Sequence, residues 1–190
     1  MEAAKKPEGK FTYADYSAWP ENERWELIDG VPYSMAAPSM AHQIVTREIF
    51  AQLHTFFRDK PCQVFFAPFS VRLNAGEADD TVVEPDILVV CDENKLKDGK
   101  SVVGAPDFIV EVLSPSTAKH DLLTKHFLYQ RSGVREYWIA DPDDKILMTY
   151  VLRDGKYSAV VEYYADSADV HIEALEGCVV NLADVFGGLI

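Results

Sequence analysis

The sequence predicts a mixed α/β protein in which a central mixed β-sheet is flanked by helices. Three observations predict it. Residues 108–113 form an apolar run with both faces hydrophobic, as expected of a strand covered on both sides. Ala41, Val45, Ile49 and Leu53 recur every four residues, the stripe of a core-facing helix. Strand-like and helix-like segments follow one another without a regular βα alternation, which excludes a doubly wound fold.

Taken in order, residues 1–10 are polar and read as a flexible N-terminus, and residues 11–190 as one domain. Thr12 is placed to cap a short helix that Pro20 ends. In the stretch RWELIDGVPYSM, alternation on both sides of Asp29-Gly30 predicts a hairpin, with Glu26 on the opposite face from Trp25 and Leu27. By itself that pattern reads Glu26 as a surface acid. Ser39 is placed to cap a helix to about Phe57, with His42 in its first turn. Residues 62–73 predict one strand or two around Pro68. VVEPDILVV reads as an apolar strand with Asp86 at its start, and residues 92–106 as a polar connection.

The 108–113 strand carries Glu111 in its middle, and an ionised carboxylate is costly to bury without a partner. SPST breaks that strand. Ser116 or Thr117 is expected to cap a helix to about Arg131, on which Asp121, Lys125 and Tyr129 stack on one face. Further strands are expected at 135–140, 145–152, 157–164 and 169–175, and a last helical turn after Asn181.

Composition narrows the function. The 190 residues carry a formal net charge of −13, which counts against casual polyanion binding because phosphate contacts need Lys and Arg. It leaves room for a nuclease whose acids bind metal. The acidic clusters at 77–80, 92–93 and 141–144 read as solvated loops. No Gly-rich phosphate loop is present, so nucleotide folds are not expected. No apolar run approaches the ~18 residues of a membrane span, and no signal-peptide pattern opens the chain. Cys62, Cys91 and Cys178 are odd in number and lack metal-ligand spacing. They read as reduced thiols of a cytoplasmic protein.

If the Asp86 and Glu111 strands pair antiparallel with Asp86 opposite Glu111, then Val90 lies opposite Asp107 and residues 91–106 form the connection. The two carboxylates then sit roughly 5 Å apart. Their repulsion is about 1 kcal/mol in water and about 4 kcal/mol at an effective dielectric near 20. Either a proton or a cation relieves it. Mg²⁺ needs only one or two carboxylates beside water and phosphate. A Pro-Asp that merely faces water at the start of a strand is the plainer alternative. Asp107 is a second Pro-Asp residue, on the same face but about 13 Å off, and reads as a decoy.

Pro85-Asp86 followed by Glu111 and a nearby basic residue resembles the PD-(D/E)XK nuclease superfamily. More narrowly, the chain resembles the bacterial family of putative restriction endonucleases long catalogued as a domain of unknown function. The likeness runs through WELIDG, Ser39 and His42, EPDILVV, PDFIVEVLSPST and GVREYWIADP, and spans about residues 13–175. It implies a restriction-endonuclease-like core and a divalent-metal-dependent endonuclease, acting on DNA, with Mg²⁺ or Mn²⁺ held by Asp86, Glu111 and the Val112 carbonyl. Lys125 matches the family's lysine on the following helix. Glu26 matches its early acid, as a third ligand or water acceptor. His42 matches as a phosphate or water contact, and Tyr129 is a further hydrogen-bonding candidate.

The superfamily pattern places Lys two residues after the acid, where this chain has Leu113. A homodimer is expected by analogy, since cutting two strands favours two sites. The main alternative is a nuclease-fold module that does not cut and serves dimerisation or DNA binding. A glycosidase using two carboxylates is more remote, and would need a sugar cleft but no metal. Ser114 or Ser116 with His120 lacks a nucleophile-elbow pattern.

Overall fold

The computed structural model describes residues 9–20, 23–115, 118–167 and 169–189. The expected flexible N-terminus therefore lies almost wholly outside the described residues, as do the capping candidates Ser116 and Thr117.

The first half follows the pattern read from the sequence. Helix α1 (Tyr13–Tyr16) begins after Thr12, whose N–H and hydroxyl both donate to Asp15 at 2.8 Å. Strands β1 (Trp25–Ile28) and β2 (Val31–Ser34) form the hairpin. Its turn residues Asp29 and Gly30 both take positive φ, the conformation that a tight hairpin turn demands and that Asp-Gly supplies at low cost. Helix α2 (Met40–Phe57) starts at Ser39, whose hydroxyl accepts the His42 N–H at 3.2 Å. Its buried stripe is His42, Val45, Ile49, Leu53 and Phe57. His42 thus takes the place in the stripe that periodicity assigned to Ala41.

Strands β3 (Gln63–Phe66) and β4 (Val71–Arg72) flank Pro68. VVEPDILVV is two strands rather than one, because Pro85 cannot donate to a ladder. β5 (Val82–Val83) and β6 (Ile87–Val90) on either side of it join different sheets. The polar connection adds a short strand, β7 (Val102–Val103). Then come β8 (Phe108–Val112), a π-helical turn (His120–Lys125) running into α3 (His126–Ser132), and β9 (Glu136–Asp141). Strands β10 (Ile146–Arg153), β11 (Lys156–Tyr157), β12 (Val161–Tyr164), β13 (Val170–His171) and β14 (Val179–Val180) precede α4 (Leu182–Gly187), which Asn181 caps.

Among the described residues, the central sheet has the order β11-β10-β9-β8-β6-β3, with β12 also on β10. β8 and β9 are parallel and the other neighbours antiparallel, so the sheet is mixed. One face packs Phe108, Val110 and Val112 against α2 and α4. The other packs Ile109 and Leu113 against α3 and the smaller β2-β1-β5-β4-β7 sheet. Period-two alternation on a doubly covered strand makes both faces apolar, and puts Glu111 on the α3 side. The β6–β8 register pairs Ile87 with Val110 and Leu88 with Ile109, which carried one step further sets Asp86 opposite Glu111 as expected.

Two further expectations are corrected. Cys62 and Cys91 are not reduced thiols but a disulfide, with Cα atoms 4.0 Å apart. They are the next cross-strand pair of the β3–β6 ladder beyond Gln63 and Val90, a pairing invisible until that register exists. The argument from cysteines to a reducing compartment loses its basis. Cys178 remains a free thiol, and burial pushes its pKa up to about 11. The helix before Arg131 is not α-helical throughout, since its turn over His120–Lys125 is π-helical. No helix among the described residues is long and apolar enough to cross a membrane.

Candidate active site

A cleft of ≈ 490 Å³ opens where the ends of β6 and β8 meet the β1–β2 hairpin and the π-helical turn. Its floor collects Asp86, Glu111, Val112, Glu26, Lys125 and His42. Tyr129 lies behind that floor, fully buried.

Lys125 organises the charges. Its side chain is inside the protein, with the residue 4% exposed, and its ammonium lies 2.9 Å from Glu111 Oε1, 2.9 Å from Glu26 Oε1 and 3.6 Å from Asp121 Oδ1. A buried ammonium is sustained only by such partners. Burial opposes its charge, but Glu111, Glu26 and Asp121 outweigh burial and hold its pKa well above the ordinary lysine value. Lys125 is therefore a fixed cation. The extra residue per turn of a π-helix, a distortion that recurs at functional sites, accompanies this cluster: Asp121 and Lys125 are its two buried residues.

Glu111 Oε1 also accepts the Tyr129 hydroxyl at 2.6 Å. Burial drives the Glu111 pKa well above the usual carboxylate range. Lys125 pulls it back, while Asp86, Asp121 and Glu26 push it further up. Burial and the charge on Glu111 likewise raise the Tyr129 hydroxyl. Glu26 is not the surface acid that its hairpin suggested. It is 3% exposed, and its Oε1 accepts the Glu84 N–H at 3.0 Å as well as Lys125. Glu84 is itself held by Arg24 at 2.9 Å and by the Tyr16 hydroxyl at 3.2 Å.

Asp86 is oriented from two sides through Oδ2, which accepts the Val112 N–H at 2.8 Å and lies 3.0 Å from His42 Nε2. His42 is thus an Asp86 partner from α2. Asp107, read as a decoy, accepts the Cys91 N–H at 2.8 Å and meets Arg135 at 3.1 Å.

All residues expected at the site converge here, and three that were given no role join them. Asp121 belongs to the stripe with Lys125 and Tyr129. Glu84 falls two residues before Asp86. From the sequence, His120 is a candidate only beside Ser114 or Ser116; its ring packs on Tyr33 at 4.7 Å, and its Nε2 is buried without a hydrogen-bond partner among the described residues, 3.9 Å from Glu26 Oε2. Burial first, and Lys125 second, lower its pKa and favour the neutral ring.

Among the described residues, no three of His, Cys, Asp and Glu form a ready cation cage. The Lys125 ammonium fills the space between Glu26, Glu111 and Asp121. The pair left to hold a divalent ion is Asp86 and Glu111. Among the described residues, both side-chain bonds to Asp86 end on Oδ2 and both to Glu111 end on Oε1. Carboxylate oxygens that repel one another across two strands suit a hard cation such as Mg²⁺ or Mn²⁺.

The chain is similar to known proteins in fold and in sequence. The crystal structure of a putative nuclease belonging to DUF820 from Anabaena variabilis ATCC 29413 matches with a TM-score of 0.76 at 17% identity, over 95% of this chain and 99% of that one. The fold is the restriction-endonuclease-like core that the motifs implied. A Synechocystis sp. protein, slr1290, described as uncharacterized, is 26% identical over 162 residues, 84% of this chain and 83% of its own. Residues 13–183 match the Uma2 family, described as putative restriction endonuclease, and on that match over most of its length the chain belongs to this family.

Proposed function

We propose that the chain is a divalent-metal-dependent endonuclease that hydrolyses phosphodiester bonds of DNA, with Mg²⁺ or Mn²⁺ held by Asp86, Glu111 and the Val112 carbonyl. The observation that supports this most is the Lys125 ammonium lying 2.9 Å from Glu111. The PD-(D/E)XK pattern brings a lysine to the metal-binding acid along the strand, and Leu113 cannot serve. Here the lysine reaches the same acid from the following helix.

A bound metal supplies an acidified water and positive charge at the leaving oxygen. The chain's own residues do the rest. Asp86 is held in one rotamer by the Val112 N–H and His42. Tyr129 and Lys125 hold Glu111. Lys125 keeps its proton, so it orients water and offsets charge on the phosphate rather than acting as a base. Glu26 fixes Lys125 from the other side. Water oxygen bonds to phosphorus as one P–O ester bond breaks, leaving a phosphate monoester and a hydroxyl.

A DNA substrate goes with a cytoplasmic location, and two-strand cutting with a homodimer, which sedimentation would measure. The test is cleavage of plasmid and oligonucleotide DNA in Mg²⁺ or Mn²⁺ by the wild type and Asp86→Ala. Equal rates in both would sink the proposal. DNA retention without cutting or metal response would favour the non-cutting module, a reading that Leu113 and the lysine-filled acid cluster support.

A further inference from the structure

The cleft is poorly equipped to hold a duplex by its phosphates. Phosphate recognition rests on Lys and Arg, and the lining contains Arg24 and Lys125, both already paired with carboxylates: Arg24 with Glu84, and Lys125 with Glu111 and Glu26. What the lining offers instead is apolar: Met35, Ala37, Pro38 and Phe66. Phe66 is 55% exposed, although it ends a strand of the central sheet.

Its place is set by the same ladder that sets Asp86. Phe66 pairs with Ile87, the residue after Asp86, and the Ala67 N–H donates to the Asp86 carbonyl at 3.1 Å. Its ring is held by Phe50 in a T-shaped contact at 4.7 Å, and Phe50 stacks on His54 at 5.6 Å. An aromatic ring so braced, yet left exposed, beside the acids is a stacking platform. Base stacking on aromatic side chains needs no cation and tolerates any sequence, but it needs a base that is not paired.

We infer that Phe66 stacks an unpaired nucleobase next to the scissile phosphate, so that the substrate class is DNA with single-stranded, bulged or frayed character rather than continuous duplex. This rests on the nuclease reading above for its scissile phosphate, while the stacking itself stands on the cleft.

The test uses the full chain and a single-stranded oligonucleotide carrying 2-aminopurine, beside its fully paired duplex, in EDTA so that cutting plays no part. The wild type should quench the single strand and bind it more tightly than the duplex. Phe66→Ala should weaken single-strand binding by roughly five- to hundredfold and abolish the quench. Phe66→Trp should retain both. Phe127→Ala, which removes another exposed ring (61% exposed) away from the cleft, should change neither.

Equal binding by Phe66→Ala, tighter duplex binding, or no oligonucleotide binding at all overturns the inference. So does a dimer that Phe66→Ala dissociates with the quench intact, since Phe66 would then serve contact between copies. Quenching without any metal-dependent cutting would leave the stacking in place and remove the nuclease. Efficient duplex cutting unchanged in Phe66→Ala would do the reverse.

Discussion

Lys125 Nζ lies 2.9 Å from Glu111 Oε1 inside the protein, each residue about as inaccessible to water as its neighbours in the core. They come from different elements, a strand and the π-helical turn that follows it. Glu26 and Asp121 complete the surroundings of the ammonium. The cluster stands or falls together, because removing one charge strands the others in a medium that solvates them poorly.

Lys125→Met should therefore destabilise the protein by about 3–5 kcal/mol, as for other broken buried pairs. At this chain length that lowers Tm by roughly 6–20 °C. Thermal unfolding measures it. A Tm within a degree of wild type would mean that the acids take up protons at no cost, and that Lys125 is not what holds them.

Glu111 carries a pH signature. Its folded pKa is raised, so between the unfolded and folded values the native state binds the extra proton. The linked stability falls as pH rises through that window and returns as pH drops back through it toward the ordinary carboxylate range. In metal-free buffer, Glu111→Gln should flatten this part of the Tm-versus-pH curve while keeping a group able to accept from Tyr129. An unchanged slope would assign the effect to another acid.

The same proton competes with metal. Saturating Mn²⁺ or Mg²⁺ near 100 Kd adds about 2.7 kcal/mol, or roughly 5–10 °C for a chain of this size. The shift should shrink as pH falls and be absent in Asp86→Ala and Glu111→Gln. Asp86→Ala also loses the Val112 N–H and His42 contacts, so its metal-free Tm should drop by an amount equivalent to about 1–3 kcal/mol. An undiminished metal shift in both variants would place the ion elsewhere.

Reduction provides an independent check on the sheet. The Cys62–Cys91 bond closes a loop of sequence separation 29. Cross-links of that span restrict the unfolded chain by about 3–4 kcal/mol, so dithiothreitol should lower Tm markedly. Denatured protein should titrate one thiol before reduction and three after. Three thiols without reductant would show that the pair is not oxidised in the isolated protein.

Much of this was legible in the chain. Asp29-Gly30, Ser39 and Asn181 announce their turn and caps because those effects are local: a positive φ at low cost, or a hydroxyl or amide oxygen within reach of the next turn's N–H. The 108–113 run announces a buried central strand because apolar residues on both faces have few other solutions. Even the pairing of Asp86 with Glu111 follows from period-two geometry once the strands are taken as neighbours.

Other features depended on contacts between distant segments. Nothing local distinguishes Glu26 from a solvated hairpin acid. It is buried because the hairpin folds over the helix that carries Lys125. The Cys62–Cys91 bond, the π-helical turn and the approach of His42 to Asp86 likewise arise only when the sheet and helices pack. The sequence by itself determined most of the elements, the central acid and the family. Tertiary structure alone decided that three carboxylates share one buried ammonium, because charge pairing and desolvation depend on distances through space, which chain order does not encode.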